Sequence, residues 1–367
     1  MLENISNYFR KNFNAKVDSL KEFWNASTKE KLLVLLNNAL LGVILGLILF
    51  IIISDSSFLS MGNFINILSQ SSVKLILALG VGGIIILQGT DLSLGRIVGL
   101  TAIVAASFLQ RIGAVGNYYE SLPGWLVDND ILFILTPLII VMIVGAFFSA
   151  INGIIVAYFK VHPFLATLGS AVALYGILQI YFSSGDNGAQ PIGSLSDRYT
   201  DVVIRKVSLF GYDFPILIFY AVIVTMVMWV IWNKTTFGKN MYAVGGNPEA
   251  AKISGVSVIK TTVLVYILAG ALYGIGGFLE VARIGSAGSA IGNGYELDAI
   301  AACVVGGISF SGGIGKISGA VLGVFMFTII TYGMIYIGID NNFQFIVKGV
   351  IIVFAVALDT RKYIQKT

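Results

Sequence analysis

The sequence predicts an all-α polytopic membrane protein of about ten transmembrane helices, and three observations carry that reading. Of its 367 residues 57% are hydrophobic and only 11% charged, with a mean hydropathy of +0.89, whereas a soluble domain is roughly 45–50% apolar and about 25% charged. The apolar residues gather into runs near the roughly 20 residues that cross a bilayer. One polar, glycine-punctuated insert, Gly238 to Val258 (GKNMYAVGGNPEAAKISGVSV), stands between two long apolar runs and presents a surface to the aqueous side.

In chain order, residues 1–31 form the first segment. Ile5, Phe9, Phe13, Val17, Leu20 and Trp24 recur there at three- or four-residue spacing with lysines between them, the pattern of an amphipathic cytoplasmic helix. It lies on the membrane surface or packs on the bundle. No cleavable signal is evident, because about thirty polar or amphipathic residues precede the first apolar run. The transmembrane domain takes up 32–367, with spans expected at 32–53, 64–87, 92–110, 131–159, 164–182, 214–232, 259–282, 296–311, 317–338 and 343–359. The 296–311 run is the weakest, being short and glycine-rich.

Lys and Arg in the flanking segments set the orientation. With the N-terminus inside, sixteen fall on the cytoplasmic side and five (Arg111, Arg198, Arg205, Lys206 and Arg283) on the other. Both termini and the 233–258 loop are therefore expected in the cytoplasm. An internal echo accompanies this layout: Gly82, Gly83, Gly89, Gly95 and Gly99 recur at an offset of 224 as Gly306, Gly307, Gly313, Gly319 and Gly323. Close helix packing also favours small residues, but glycine-interrupted apolar segments at corresponding positions point to a translocation path. The breaks read GTDLSLG at 89–95 and SFSGGIG at 309–315. In this topology the two hairpins run parallel, and an inverted repeat would need one of them to be re-entrant.

Within the polar insert, Asn247-Pro248 reads as a turn and helix start, with Glu249 in the first turn, where the dipole favours a carboxylate. The short helix that follows, Glu249 to about Ser254, stops at Gly255. The order Glu249-Ala250-Ala251, three residues, Gly255 resembles the cytoplasmic coupling loop of ATP-binding-cassette (ABC) importer permeases, which docks on an ATPase subunit. An ordinary cytosolic loop is the alternative. The resemblance implies Gly245, Gly246, Asn247, Pro248, Glu249, Ala250, Ala251 and Gly255 as coupling residues.

The bulk of the chain excludes several chemistries. The single cysteine, Cys303, rules out an internal disulfide and reads as a small buried hydrophobe. One histidine, His162, rules out paired-histidine catalysis, and no metal site is expected. Gly238-Lys239 and Gly315-Lys316 both lack the glycine spacing and following Ser/Thr of a phosphate-binding loop. Any energy from ATP, with its Mg2+, must therefore come from a partner subunit, the one the coupling-loop resemblance implies, and no cofactor is expected in the chain itself.

Further stretches extend the resemblance. GTDLSLG at 89–95, ING at 151–153, HPFLATLGS at 162–170, GGNPEAAKISGV at 245–256 and ELDAIAACVVGGISFSGGIGKISG at 296–319 resemble the sugar-importing branch of bacterial ABC permeases, the ribose and galactose type. With VKGVIIVFAVALD at 347–359 the likeness is to the galactose/methyl-galactoside permeases. It covers the chain from about residue 35. The N-terminal extension is longer than the family implies, and His162 stands where many relatives carry another residue.

Ionisable groups within a membrane are costly and invite a functional reading. Asp91 reads as the cap of a helix beginning at Leu92, with pathway lining as the alternative. Glu280 and Arg283, three apart, read as an ion pair. Glu296 and Asp298 open the next segment, where the helix dipole favours them, or line an outer vestibule. Lys74 and Lys348 are expected to snorkel. Asn152 and Thr167 bond between helices or touch a sugar hydroxyl. Trp229, Trp232 and Tyr336 read as interfacial belt residues. The pathway candidates are thus Gly89, Asp91, Ser93, Asn152, Thr167, Glu296, Asp298, Ser309, Ser311 and Gly313. In the outer loops 111–130 and 183–213, Tyr118, Tyr119, Trp125, Asp186, Asp197 and Arg198 offer a docking surface or plain solvated caps.

The function these readings converge on is a non-enzymatic permease subunit of the bacterial inner membrane. It homodimerises, binds two ATPase domains, receives a monosaccharide from an extracytoplasmic sugar-binding protein, and contacts no nucleic acid. An ion-coupled secondary transporter, a permease for ribose, xylose or another carbohydrate, and a non-transporting scaffold are the alternatives.

Overall fold

The computed structural model describes residues 39–113, 117–119, 122–184 and 190–364. The amphipathic segment 1–31, the opening of the first apolar run and Asp186 lie outside the described residues. Each of the ten apolar runs carries a helix. The first half of the chain forms α1 (Ala39–Ser54), α2 (Met61–Ile86), α3 (Leu94–Leu109), the short α4 (Gly124–Val127), α5 (Asp130–Phe159), α6 (Pro163–Ser183) and α7 (Asp197–Ile204). The second half forms α8 (Leu217–Lys234), α9 (Thr236–Gly246), α10 (Pro248–Ile253), α11 (Val258–Ile284), α12 (Tyr295–Val305), α13 (Ile317–Tyr336) and α14 (Asn341–Ile364). A hairpin, β1 (Lys206–Leu209) with β2 (Tyr212–Pro215), pairs antiparallel ahead of α8. The chain is an all-helical polytopic membrane protein.

Among the described residues six helices, α2, α5, α6, α8, α11 and α13, are long and apolar enough to cross a bilayer unaided. The expected span at 296–311 is corrected. Its helix, α12, stops at Val305 after 11 residues, a rise of about 17 Å against a hydrocarbon core of about 30 Å. Gly306 and Gly307 end it, Gly307 with φ +83, so the segment enters the bundle without crossing it.

Local chemistry sets the ends. Asn129 Oδ1 accepts from Ile131 and Leu132 N–H at 3.0 and 3.1 Å to open α5. Lys160 in the left-handed conformation closes that helix, and Pro163 occupies the first turn of α6. Ser257 caps α11, which ends on Gly285 at φ +87.

The long α11 is the axis of the fold, packing against α5, α3 and α2. α2 and α11 are 78% and 67% buried along their apolar stretch, whereas α5, α6 and α8 are 22% or less and turn apolar faces outward. Glycine permits the closest crossing: a Cβ on Gly145 would lie 2.2 Å from Gly270 O, and one on Gly274 2.3 Å from Val141 O. Trp229 is half exposed beneath Lys234, but Trp232 is buried against Gly82 and Gly83 and does not belong to an interfacial belt.

The two hairpins of the glycine echo, α2–α3 and α12–α13, both place their breaks at one end of the bundle. Their glycines do different work. Gly306 and Gly323 let α12 lie on α13, with a Cβ on either falling 2.1 Å or less from backbone oxygens of Gly319 and Ala302. Gly95 and Gly99 instead admit the backbone of Gly292 and Ile291 ahead of α12. At the opposite end Tyr199 of α7 donates to Phe278 O and accepts from Ala282 N–H at 3.1 Å, which ties α7 to α11.

Candidate functional site

The polar insert folds into two helices hinged at one residue. Asn247 is extended (φ −158°); its N–H donates to Ala243 O to finish α9, and its Oδ1 accepts from Ala250 N–H at 3.0 Å to start α10. Pro248 stands at the first helical position with Glu249 behind it. Gly255, at φ +83, stops the helix, and Val256 N–H closes back on Ala251 O at 3.0 Å. α10 therefore runs Pro248 to Ile253, beginning one residue before Glu249. Ala251 alone of that helix is buried; Glu249, Ala250, Lys252 and Ser254 are exposed, and Ile253 is 87% exposed.

α9 rests on both glycine breaks at once. A Cβ on Gly245 would lie 1.9 Å from Ile86 O and 2.9 Å from Gly313 N. Gly313 N–H donates to Ile86 O at 2.8 Å, which joins the second break to the end of α2. Gln88, left-handed at φ 63, spans the three pieces, its Nε2 donating to Gly245 O at 2.9 Å and Ser311 O at 3.1 Å. Tyr242 of α9 donates to Gly315 O at 3.0 Å, and burial pushes its hydroxyl up to about 12, so it remains a donor at neutral pH. α9 thus touches the end of α2, just ahead of the first break, and the second break through backbone, with the Gln88 side chain bridging them.

Four pathway candidates come together one turn deeper. Asp91 Oδ1 accepts from Ser93 N–H at 2.9 Å and Ser93 Oγ at 2.5 Å; Asn152 Nδ2 donates to Ser93 Oγ at 2.9 Å; Thr167 Oγ1 accepts from Leu92 N–H at 3.1 Å. All four residues are fully buried. They bond between helices and line no open surface of this chain. The helix after Asp91 begins at Leu94, so Asp91 caps a turn preceding it. Gly89 is buried against Ile84 and Tyr266, and the positive φ of this break belongs to Gln88, not to Gly89.

Ser309, Ser311 and Gly313 lie in the second break, with Ser309 Oγ accepting from Ser311 N–H at 3.1 Å and Gly313 at φ +66. Glu296 and Asp298 sit elsewhere, in the first turn of α12. Glu296 packs over Gly95, and Asp298 pairs with Lys74 and Lys348 at 3.4 and 2.7 Å. The two lysines are therefore paired within the bundle; they do not snorkel. Glu280 forms the expected pair with Arg283, bidentate at 2.7 and 2.6 Å, and also accepts from Tyr295. At the end of the bundle opposite α9 and α10, Arg111 meets Asp197 at 2.8 Å and Arg198 meets Asp130 at 2.9 Å.

Gln88 and Tyr242 were missed in the sequence. Gln88 had one signal, a lone amide between an apolar run and a glycine. No group of three or more His, Cys, Asp or Glu able to hold a metal exists among the described residues.

Comparison with known proteins completes the picture. A galactose/methyl galactoside import permease of Escherichia coli (strain K12) is 48% identical over 324 residues, covering 88% of this chain and 94% of the relative. The counterpart from Haemophilus influenzae is 44% identical over 335 residues, 91% and 96% of the two chains. A ribose import permease of Escherichia coli (strain K12) is 35% identical over 325 residues, 86% and 92%. No solved structure matches the chain. Residues 63–356 match the family model described as branched-chain amino acid transport system / permease component, and with the breaks, the hinged insert and these relatives on one chain, the protein belongs to that permease family.

Proposed function

We propose that this chain is the membrane subunit of an ABC importer for a galactose- or methyl-galactoside-type monosaccharide, moved by alternating access. The observation that carries the reading is the seating of α9 on both glycine breaks, with α10 hanging exposed beside it. A partner that binds ATP and closes can shift the chain between two states only through contacts that differ between them, and α10 is the surface on which to make those contacts. Its apolar Ile253 flanked by Glu249 and Lys252 suits a groove on a soluble ATPase. The insert then faces the cytoplasm, two copies of the chain pair to receive two ATPases, and the hairpin end meets a sugar-binding protein. Phe210, at the hairpin tip and 97% exposed, stands on that outer face.

Ion coupling would need a mid-membrane carboxylate open to exchange. Asp91 is enclosed, Glu280 is held by Arg283 and Tyr295, and Asp298 is held between Lys74 and Lys348, which favours the ATP-driven reading.

Ile253→Asp should leave the membrane level of the chain unchanged while co-purification of the ATPase and sugar uptake both fall by an order of magnitude or more, since an interface anchor is worth about 2 kcal/mol. Association and uptake both at wild-type levels would reject α10 as the docking element. A Cβ at Gly255 meets no atom within 4 Å, so the effect of Gly255→Glu comes from strain of roughly 1–2 kcal/mol in the left-handed region. Gly255→Asn, which tolerates that region, should retain more uptake than Gly255→Glu at equal membrane level. The orientation is checked by Asn247→Cys in a Cys303→Ser background: an impermeant thiol reagent on intact cells should fail to label it.

A further inference from the structure

Three ionisable groups meet inside the bundle, away from the coupling helices. Lys74 of α2 reaches Asp298 Oδ2 at 3.4 Å, and Lys348 of α14 reaches Asp298 Oδ1 at 2.7 Å. Lys74 lies midway along α2, which spans 26 residues, so it is about 20 Å from either helix end. Two ammonium groups, each with three N–H donors, share one carboxylate, and the trio carries one net positive charge. Ionisable residues at this depth face each other or a water-filled cavity. The three face each other, and the side chains of Lys74 and Lys348 keep 22% and 18% of their surface while Asp298 keeps 9%.

A polar line leads inward to the trio. On α2, Asn66, Gln70 and Lys74 follow at four-residue spacing, Asn66 exposed and the other two half-buried. Gln344 and Lys348 repeat the spacing on α14. The hydroxyl of Ser71, one turn from Lys74, is buried without a protein partner. Both lines start at the end of the bundle opposite α9 and α10, where α2 and α14 begin.

We propose that Lys74, Asp298 and Lys348 form a hydroxyl-binding station for the transported solute, an inference that rests on the importer reading above. A neutral polyhydroxylated molecule suits it: ring and hydroxyl oxygens accept from the spare ammonium N–H groups, and a hydroxyl donates to Asp298. No charge is added on binding. The net positive charge also repels protons and metal cations, as fixed positive groups do in other solute pores, so the sugar passes without an ion leak.

The test uses the complete importer in proteoliposomes, in a Cys303→Ser background. Lys348→Cys and Gln70→Cys are treated with a small, water-soluble methanethiosulfonate reagent from the side facing the hairpin. Both should react, and transported sugar should slow the reaction where a non-transported sugar of equal size does not. Gln70→Cys leaves the trio intact and carries the test if Lys348→Cys is lost from the membrane. Absence of reaction, or reaction indifferent to sugar, overturns the station. As a second measurement, the triple variant Lys74→Met, Asp298→Leu, Lys348→Met replaces the trio by apolar groups of similar size, a change that buried ion networks commonly tolerate. Its membrane level should hold and its ATPase activity should still respond to the binding protein, while uptake falls at least about tenfold through the lost charged hydrogen bonds. Uptake at the wild-type rate would make the trio a structural lock and overturn the proposal. Failure of the wild-type complex to import any sugar would instead sink the importer reading.

Discussion

Asp298→Asn should nearly empty the membrane of this protein, whereas Lys348→Met should be tolerated. Both changes remove one charge from the same trio, but they leave different residues behind. Losing Asp298 strands two ammonium groups, Lys74 and Lys348, around a neutral amide. Removing one partner of a buried ion pair costs about 3–5 kcal/mol because the other charge stays uncompensated, and whole-domain stability is only about 5–15 kcal/mol. Losing Lys348 leaves Lys74 and Asp298 as a neutral pair 3.4 Å apart. Removal of Asp298 also unpins α12, an 11-residue helix held in the bundle from within because it does not cross it. Membrane level and thermal unfolding in detergent should rank wild type and Lys348→Met close together, with Asp298→Asn far below. Equal stability of the two variants would mean that the trio is hydrated and contributes nothing to holding α12.

The contrast shows what the amino-acid sequence could and could not disclose. Ten apolar runs, each a helix in the structure, were legible because lipid imposes a length and a composition on every span. The exception, 296–311, looked like a span because composition does not record where a helix ends; Gly306 and Gly307 end it after Val305. The α10 helix and its stop at Gly255 were legible from local chemistry alone, since cap, proline and glycine act within a few residues. Lys74 and Lys348 were misread because their partner is remote in sequence, more than two hundred residues from Lys74. Two isolated lysines and one isolated aspartate in apolar runs were the available clue. Asp91, Ser93, Asn152 and Thr167 stand out in the sequence as polar groups in or beside apolar runs. Only the fold shows that they bond to one another and to backbone in an enclosed junction. The same limit applies to glycine: the residue type announces a close approach or an unusual turn, but not which of the two, and at Gly89 the turn belongs to its neighbour Gln88.

Gly245 and Gly246, identical and adjacent in the chain, should respond in opposite ways to the same alanine substitution. Gly246 closes α9 with nothing within 4 Å of where a Cβ would stand. Gly245 is pressed between Ile86 O at 1.9 Å, Ile86 C at 2.8 Å and Gly313 N at 2.9 Å, all backbone atoms that no rotamer change can move aside. An alanine there must push α9 off the end of α2 and off the second break. The displacement would also strain the donation from Gln88 Nε2 to Gly245 O and part the surfaces through which α10 acts on the bundle. Overpacking of this kind costs about 1–3 kcal/mol when side chains can yield, and more is expected where only backbone is available. Gly245→Ala should therefore reach the membrane at reduced level, bind the ATPase through an intact α10, and import almost no sugar, because ATP-driven movement no longer reaches Ile86 and Gly313. Gly246→Ala should match the wild type in level, association and uptake. Measuring ATPase co-purification and sugar uptake side by side in the two variants decides the matter. Equal loss in both would show that the glycine pair is read by the docking partner, and the seating of α9 on the two breaks would lose its role in coupling.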